Sequence, residues 1–145
     1  MSILLWESAP LSNRDLNIPS NDNTHLTGQI NLDAGKNLIP NFQTYFRNTV
    51  FNTLAWDHKR RQFPHIEYAD CDFEVLLEGH NIGNFTLELV HSTDFTSKTA
   101  LQNNAMTKIK WGSLRHHIGN PNYLNKTLKI YRTNSIPYTY LLEIS

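Results

Sequence analysis

The chain is poor in the features that brace small secreted proteins or place proteins in membranes. It has one cysteine, Cys71, in 145 residues, so no intramolecular disulfide framework can form. The longest apolar runs, such as Ile3 to Trp6 and Val75 to Leu77, fall far below the roughly 18 residues a membrane span needs. The opening stretch, Met1 to Glu7, has neither the basic region nor the apolar length of a secretory signal, so a reducing, cytoplasmic setting is expected. Asp70 and Asp72 flank Cys71 and disfavour a thiolate, which makes it a structural residue. Repeats, low-complexity tracts and linkers rich in glycine and proline are all missing. One domain is expected over residues 1–145, large enough to bury roughly 68–70% of its unfolded surface without a metal or a cross-link.

The common catalytic signatures are absent too. No Glu-x-Lys accompanies an upstream aspartate as in metal-dependent nucleases, and there is no His-x-Lys of the phospholipase D type, no Gly-x-Ser-x-Gly and no glycine-rich phosphate loop. The seven histidines show no His-x-x-x-His spacing, and the adjacent pair His116-His117 suits phosphate contact or packing better than chelation. No cofactor, metal or catalytic residue is therefore expected. A weaker reading keeps Asp70, Asp72 and Glu74 as an acid/base cluster on one strand face, where a solvated face is the simpler account.

What is present is alternation. Phe85, Leu87 and Leu89 share one strand face, Ile109 and Trp111 alternate with Lys108 and Lys110, and Tyr138 to Ile144 alternates again. Asp72–Leu77 and Leu128–Tyr131 read as two further strands, with turns at Glu78 to Asn81, at Gly83-Asn84 and at Asn134 to Pro137. Asn41 to Phe51 has helical spacing with Asn41 as its cap, and Ser113 to Ile118 and Pro121 to Leu124 suit short helical turns. Several short strands with few helices predict a mostly-β barrel or sandwich.

Charge is balanced in total and segregated in order. Thirteen basic residues cancel thirteen acidic ones. Gln62 to Ser97 nevertheless holds seven acids and no lysine or arginine, whereas Lys98 to Leu142 holds seven bases and no acid. The cluster His58-Lys59-Arg60-Arg61 precedes the acidic stretch. Two outcomes are open: a basic face fit for phosphates, or acidic and basic strands that neutralise each other across a sheet.

Two long segments, Ser12 to Gly28 and His91 to Met106, do not read as strands. Both are dense in Asn, Gln, Ser, Thr, Arg and Lys, and the chain carries 17 asparagines. Asparagine populates turns, but Asn and Gln also pair bidentately with adenine, Arg with guanine, and Ser or Thr with base edges or phosphates. Two such loops point to nucleic-acid recognition. The rival class is a β-sandwich that binds carbohydrate or protein, with Trp6, Trp56, Trp111 and the tyrosines as stacking platforms. Burial of Trp111, Tyr131 and Tyr140 would remove those platforms.

From Phe73 onward the order of motifs is distinctive. A Phe73-Glu74-Val75 strand, a glycine turn and a second strand lead to a Ser/Thr/Lys loop ending in Gln102-Asn103-Asn104. Trp111-Gly112-Ser113-Leu114-Arg115-His116-His117-Ile118-Gly119 follows, then Tyr123 to Arg132 and a terminal Tyr140-Leu141-Leu142-Glu143-Ile144 strand. This order resembles the pseudobarrel DNA-binding domain shared by plant B-three transcription factors and the recognition domains of some type II restriction endonucleases. Among the latter it is most similar to the carboxy-terminal domains attached to phospholipase D-type nucleases. The resemblance spans Phe73 to Ser145, and the amino-terminal half departs from it.

The resemblance implies an open seven-stranded pseudobarrel with short flanking helices, whose two arms grip the major groove of double-stranded DNA. Ser97, Lys98, Thr99, Gln102, Asn103 and Asn104 fall in the second arm. Ser12, Asn13, Arg14, Asn17, Asn21, Asn23, Thr24 and His25 would form the first. Lys59, Arg60, Arg61, Lys108, Lys110 and Arg115 are the candidate phosphate contacts. Catalysis would belong to a separate nuclease domain or subunit.

Overall fold

The computed structural model describes residues 2–19 and 26–145. It is mostly β: strands β1 (Ser2–Glu7), β2 (Gln29–Leu32), β3 (Ile66–Leu77), β4 (His80–Ser92), β5 (Thr107–Lys110), β6 (Leu128–Thr133) and β7 (Tyr140–Ile144) form one sheet. Their order is β1-β6-β7-β3-β4-β5-β2, with β3 and β7 parallel and every other neighbouring pair antiparallel. The sheet curls into an open seven-stranded pseudobarrel accompanied by a few short helices.

Alternation builds this shape. On β3, Ala69, Cys71, Phe73, Val75 and Leu77 are buried while Asp70, Asp72 and Glu74 are exposed. Leu87, Leu89 and His91 on β4, Ile109 on β5, Leu128 and Ile130 on β6 and Leu142 and Ile144 on β7 complete the inner face. Each large apolar side chain buried there contributes roughly 1.5–3 kcal/mol. Cys71 is buried among them, and burial pushes its thiol pKa up, so it acts as a small apolar filler.

All five anticipated strands are present, and the differences have local causes. Gly83-Asn84 is not a turn. The register steps from Val75–Gly83 to Leu76–Asn81, so Ile82 is the extra residue of a β-bulge, and Gly83 takes a φ of 109° there. The Asn41 to Phe51 helix is present over Phe42 to Val50 but changes type partway. One α-turn, α1 (Phe42–Tyr45), opens into a π-turn (Phe46–Val50) in which the Phe51 N–H reaches the Phe46 carbonyl at 2.8 Å. Asn41 makes no side-chain cap bond. The widened turn buries Phe46, Val50 and Phe51 together, with Phe51 packed edge-on against Phe73 and beside Tyr140.

The outer strands β1 and β2 do not pair, yet their ends are drawn together. Trp6 Nε1 donates to the Asp33 carbonyl at 3.0 Å, and Lys36 N donates to the Glu7 carbonyl at 2.8 Å. Gly35 makes the approach possible. Its φ is 72°, and a Cβ there would lie 2.5 Å from both Glu7 O and Trp6 Nε1.

One buried polar pair predicts a pH dependence. His91 lies in the core with Nδ1 2.8 Å from Thr107 Oγ1, and Trp56 meets its ring edge-on. Burial pushes its pKa down to about 4 from an ordinary 6.5. The unfolded chain therefore takes up this proton before the folded one does. Stability is complete above about pH 6.5 and falls by about 3 kcal/mol as pH drops toward 4. Urea midpoints measured between pH 7 and 4.5 should show this loss, and His91→Gln should flatten it. An unchanged profile in His91→Gln would assign the loss to other groups.

Candidate nucleic-acid interface

The first loop folds on itself before it reaches β2. Ser12 N donates to Asp15 Oδ2 at 3.0 Å and Asp15 N to Ser12 Oγ at 3.2 Å, a reciprocal cap that starts a tight turn. Leu11 and Leu16 are buried, and Trp111 Nε1 donates to the Asp15 carbonyl at 2.7 Å, tethering the turn to the core. Asn17 takes a φ of 58°, and its Oδ1 accepts from Gly28 N at 3.2 Å, closing the neck of the loop. Ser12 and Asn17, expected in the first arm, are thus engaged locally, whereas Arg14 is exposed and Asn13 half-buried. Asn21, Asn23, Thr24 and His25 lie outside the described residues.

The second loop is organised by a four-residue helix, α2 (Lys98–Leu101). Ser97 caps it by accepting from Ala100 N at 3.2 Å, so this hydroxyl has a structural partner. Before it, Asp94 accepts from the Thr96 hydroxyl and Thr96 N, hydrogen bonds that hold its carboxyl below the usual range. After it, Asn103 reverses the chain at a φ of 61°, and Asn104 N returns to the Thr99 carbonyl at 3.1 Å. Gln43 Nε2 bonds the Ala100 and Asn104 carbonyls at 3.1 and 2.8 Å, so α1 fixes this loop from outside. Lys98, Thr99, Gln102, Asn103 and Asn104 are left exposed on a pinned backbone.

The two loops meet over the outer face of β2 and β5. A polar cleft of about 490 Å³ brings Arg14 from the first loop to Thr99, Asn103 and Asn104 from the second, with Asn31 and Lys108 from the strands between them. Asp33 and Ala105 complete its lining. Asn31 was not anticipated. It stands between buried Ile30 and Leu32, and that short alternation is the signal that would have placed it outward. A second cavity of about 240 Å³ continues under α2, shares Thr99, Ala105 and Lys108, and reaches His65.

The cations divide into two groups. Arg14, Arg60, Arg61, Lys98, Lys108 and Arg115 have no carboxylate partner among the described residues. Lys59 and Lys110 both pair with Glu88, Lys110 at 3.1 Å. Neutralisation across the sheet, one of the two outcomes left open by the charge order, therefore holds where Lys110 of β5 meets Glu88 of β4, whereas Arg47 reaches Glu67 from the π-turn and Lys126 meets Glu78 outside the strands. Asp70, Asp72 and Glu74 do share one exposed face, without a cation partner among the described residues; Asp72 accepts from Thr86 and Glu74 from Asn81. His116 and His117 are both exposed on α3 (Arg115–Ile118), with His117 edge-on to Phe85, so neither packs in the core.

Among the described residues no group of three or more His, Cys, Asp or Glu could hold a metal ion, and no helix is long and apolar enough to cross a membrane. Compared with protein-family models, with curated proteins and with solved structures, the chain finds no match in any of the three.

Proposed function

We propose that this chain is a sequence-specific double-stranded DNA-binding module, the target-recognition domain of a restriction endonuclease whose cleavage chemistry resides in a separate domain or subunit. The observation that carries the reading is the cleft in which Arg14 faces Thr99, Asn103 and Asn104 across Asn31 and Lys108. Guanidinium and carboxamide groups are the side chains that read guanine and adenine edges in the major groove. Here they come from two loops whose backbones are tied to the core, so they can meet a duplex with little ordering cost. Arg60, Arg61, Lys98 and Arg115, which have no carboxylate partner among the described residues, supply phosphate contacts, which set affinity and salt dependence but not sequence. The carbohydrate alternative needs exposed aromatic platforms. Trp6, Trp111 and Tyr140 are buried in the core, and Tyr131 is half-buried with its hydroxyl on Glu143.

The test is selection from a randomised duplex pool, read by gel shift at low and near-physiological salt. Enrichment of one motif that survives the higher salt is the expected result. Weak binding that vanishes with salt and enriches no motif would reduce the cleft to a generic basic patch, and no binding at either salt would end the DNA reading.

Given a motif, Asn104→Ala should lose about 1–3 kcal/mol on that site and leave random duplex unaffected. Asn103→Gly, which keeps the left-handed backbone without strain, should behave likewise. Equal weakening on every sequence would assign these side chains to phosphates.

A further inference from the structure

The cation pair Lys59 and Lys110 deserves a role beyond phosphate contact, because a single carboxylate holds both. Between β4 and β5, Val90 pairs with Lys108 and the inward-facing Leu89 with Ile109, so the next outward pair sets Glu88 beside Lys110, adjacent to the cleft. Glu88 Oε1 takes Lys110 Nζ at 3.1 Å, and Oε2 takes Lys59 Nζ from the segment that follows the Asp57–Tyr68 backbone bridge beside β3. Both ammonium groups also lie over the Tyr68 ring, 5.5 and 5.6 Å from its centre. The carboxylate thus sits between two lysines above an aromatic ring, and Lys110 extends the row begun by Lys108 on the cleft floor. A DNA phosphate reaching that row would meet the same two ammonium groups.

Resting on the DNA-binding reading above, we infer that Glu88 is a specificity-determining residue: it occupies Lys59 and Lys110 in place of a phosphate and so suppresses sequence-independent binding. The physical reason is an asymmetry. Binding to random duplex is almost wholly electrostatic and scales with the number of phosphates neutralised, whereas site selection comes from base contacts in the cleft. Withholding two cations lowers the first and leaves the second. The ratio of specific to random binding, which decides how a protein searches long DNA, rises accordingly. Asp70 lies directly across from Glu88, so the two lysines also relieve a like-charge pair. A purely structural role of that kind makes a different prediction.

The experiment measures Glu88→Gln beside Asp72→Asn. The two variants carry the same charge change, but Asp72 lies on the same outer face without a lysine partner. Binding to random duplex is titrated over a range of salt, and retention on immobilised heparin is recorded in parallel. For Glu88→Gln the slope of log K against log salt should steepen by about 1 to 2, at about 0.9 per cation released. Affinity for random duplex should rise several-fold, elution from heparin should move to higher salt, and the site-to-random ratio should fall. Asp72→Asn should move none of these beyond the small shift of one charge. In a Lys59→Ala/Lys110→Ala background, Glu88→Gln should have no further effect on slope.

Equal behaviour of Glu88→Gln and Asp72→Asn, or a lower melting temperature with unchanged slope, would overturn the inference and leave Glu88 structural. Heparin separates this failure from that of the DNA reading. Later elution of Glu88→Gln with no selected motif in the wild-type chain would keep the withheld cations and remove the sequence-specific function.

Discussion

Replacing Trp111 by alanine should lower the unfolding free energy by about 3–5 kcal/mol, the range for truncating a large buried aromatic. The indole is fully buried, at the point where β5 gives way to the short helical turns that follow it. With a urea slope of roughly 2 kcal/mol per molar, the midpoint should fall by on the order of 2 M. The ring also has a second task, since its Nε1 holds the Asp15 carbonyl and with it the turn that carries Arg14.

Trp111→Phe separates the two tasks. It keeps one buried aromatic ring and removes the pyrrole part that carries the donor, which should cost about 1 kcal/mol through the lost hydrogen bond and about 1 kcal/mol more through the smaller ring, less than the alanine variant loses. If the tether positions the first loop, this variant should lose affinity for a selected site by more than its small stability loss explains, while random duplex binds as before. An unchanged preference in Trp111→Phe would mean that Leu11, Leu16 and the Asn17–Gly28 bond suffice to place Arg14.

How far the sequence discloses this architecture depends on which physical signal each element leaves. β3 and β4 are long and face solvent on one side, so apolar and polar residues alternate and the strands are legible. β1 left no such pattern. Ile3, Leu4 and Leu5 follow one another, and Trp6 is its one buried residue. β2 is four residues long, too short for a period to emerge. The two long polar loops were legible through composition. Which of their side chains are free was not, because that depends on local hydrogen bonds. Ser12, Asn17 and Ser97 each hold backbone, and only the Ser12-x-x-Asp15 spacing advertised this in advance. The pairing of Lys59 and Lys110 with Glu88 was equally hidden, since it follows from register between strands and from a segment bridged to β3 at Asp57 and Tyr68. Charge order along the chain named the two parties without saying whether they meet.

Arg132 and Tyr140 should prove strongly coupled, with Arg132→Met and Tyr140→Phe together costing more than the sum of the two. Arg132 is buried at the inner end of β6, and its Nη1 donates to the Thr49 and Val50 carbonyls at 2.6 and 2.8 Å. The Tyr140 hydroxyl donates to the same Val50 carbonyl at 2.7 Å, and the guanidinium stacks 3.9 Å from the centre of the Tyr138 ring. These groups close the carboxyl end of the π-turn, where carbonyls lack partners of their own and a cation is favoured.

Arg132→Met retains length and removes the donors, leaving Thr49 O bare but Val50 O still bonded by Tyr140. It should cost about 2–3 kcal/mol, the range for hydrogen bonds from a charged group. The guanidinium's own burial, with Nε unpartnered, offsets part of what it contributes and keeps the figure from rising further. Tyr140→Phe should cost about 1 kcal/mol, because Arg132 still covers Val50 O. In the double variant that buried carbonyl loses every donor, which adds about 1–3 kcal/mol beyond the sum. Equilibrium unfolding of the four proteins measures the coupling directly. Simple additivity would show that water reaches Val50 O once either side chain is removed, and would locate the strength of this closure in the packing of Phe46, Val50 and Phe51 instead.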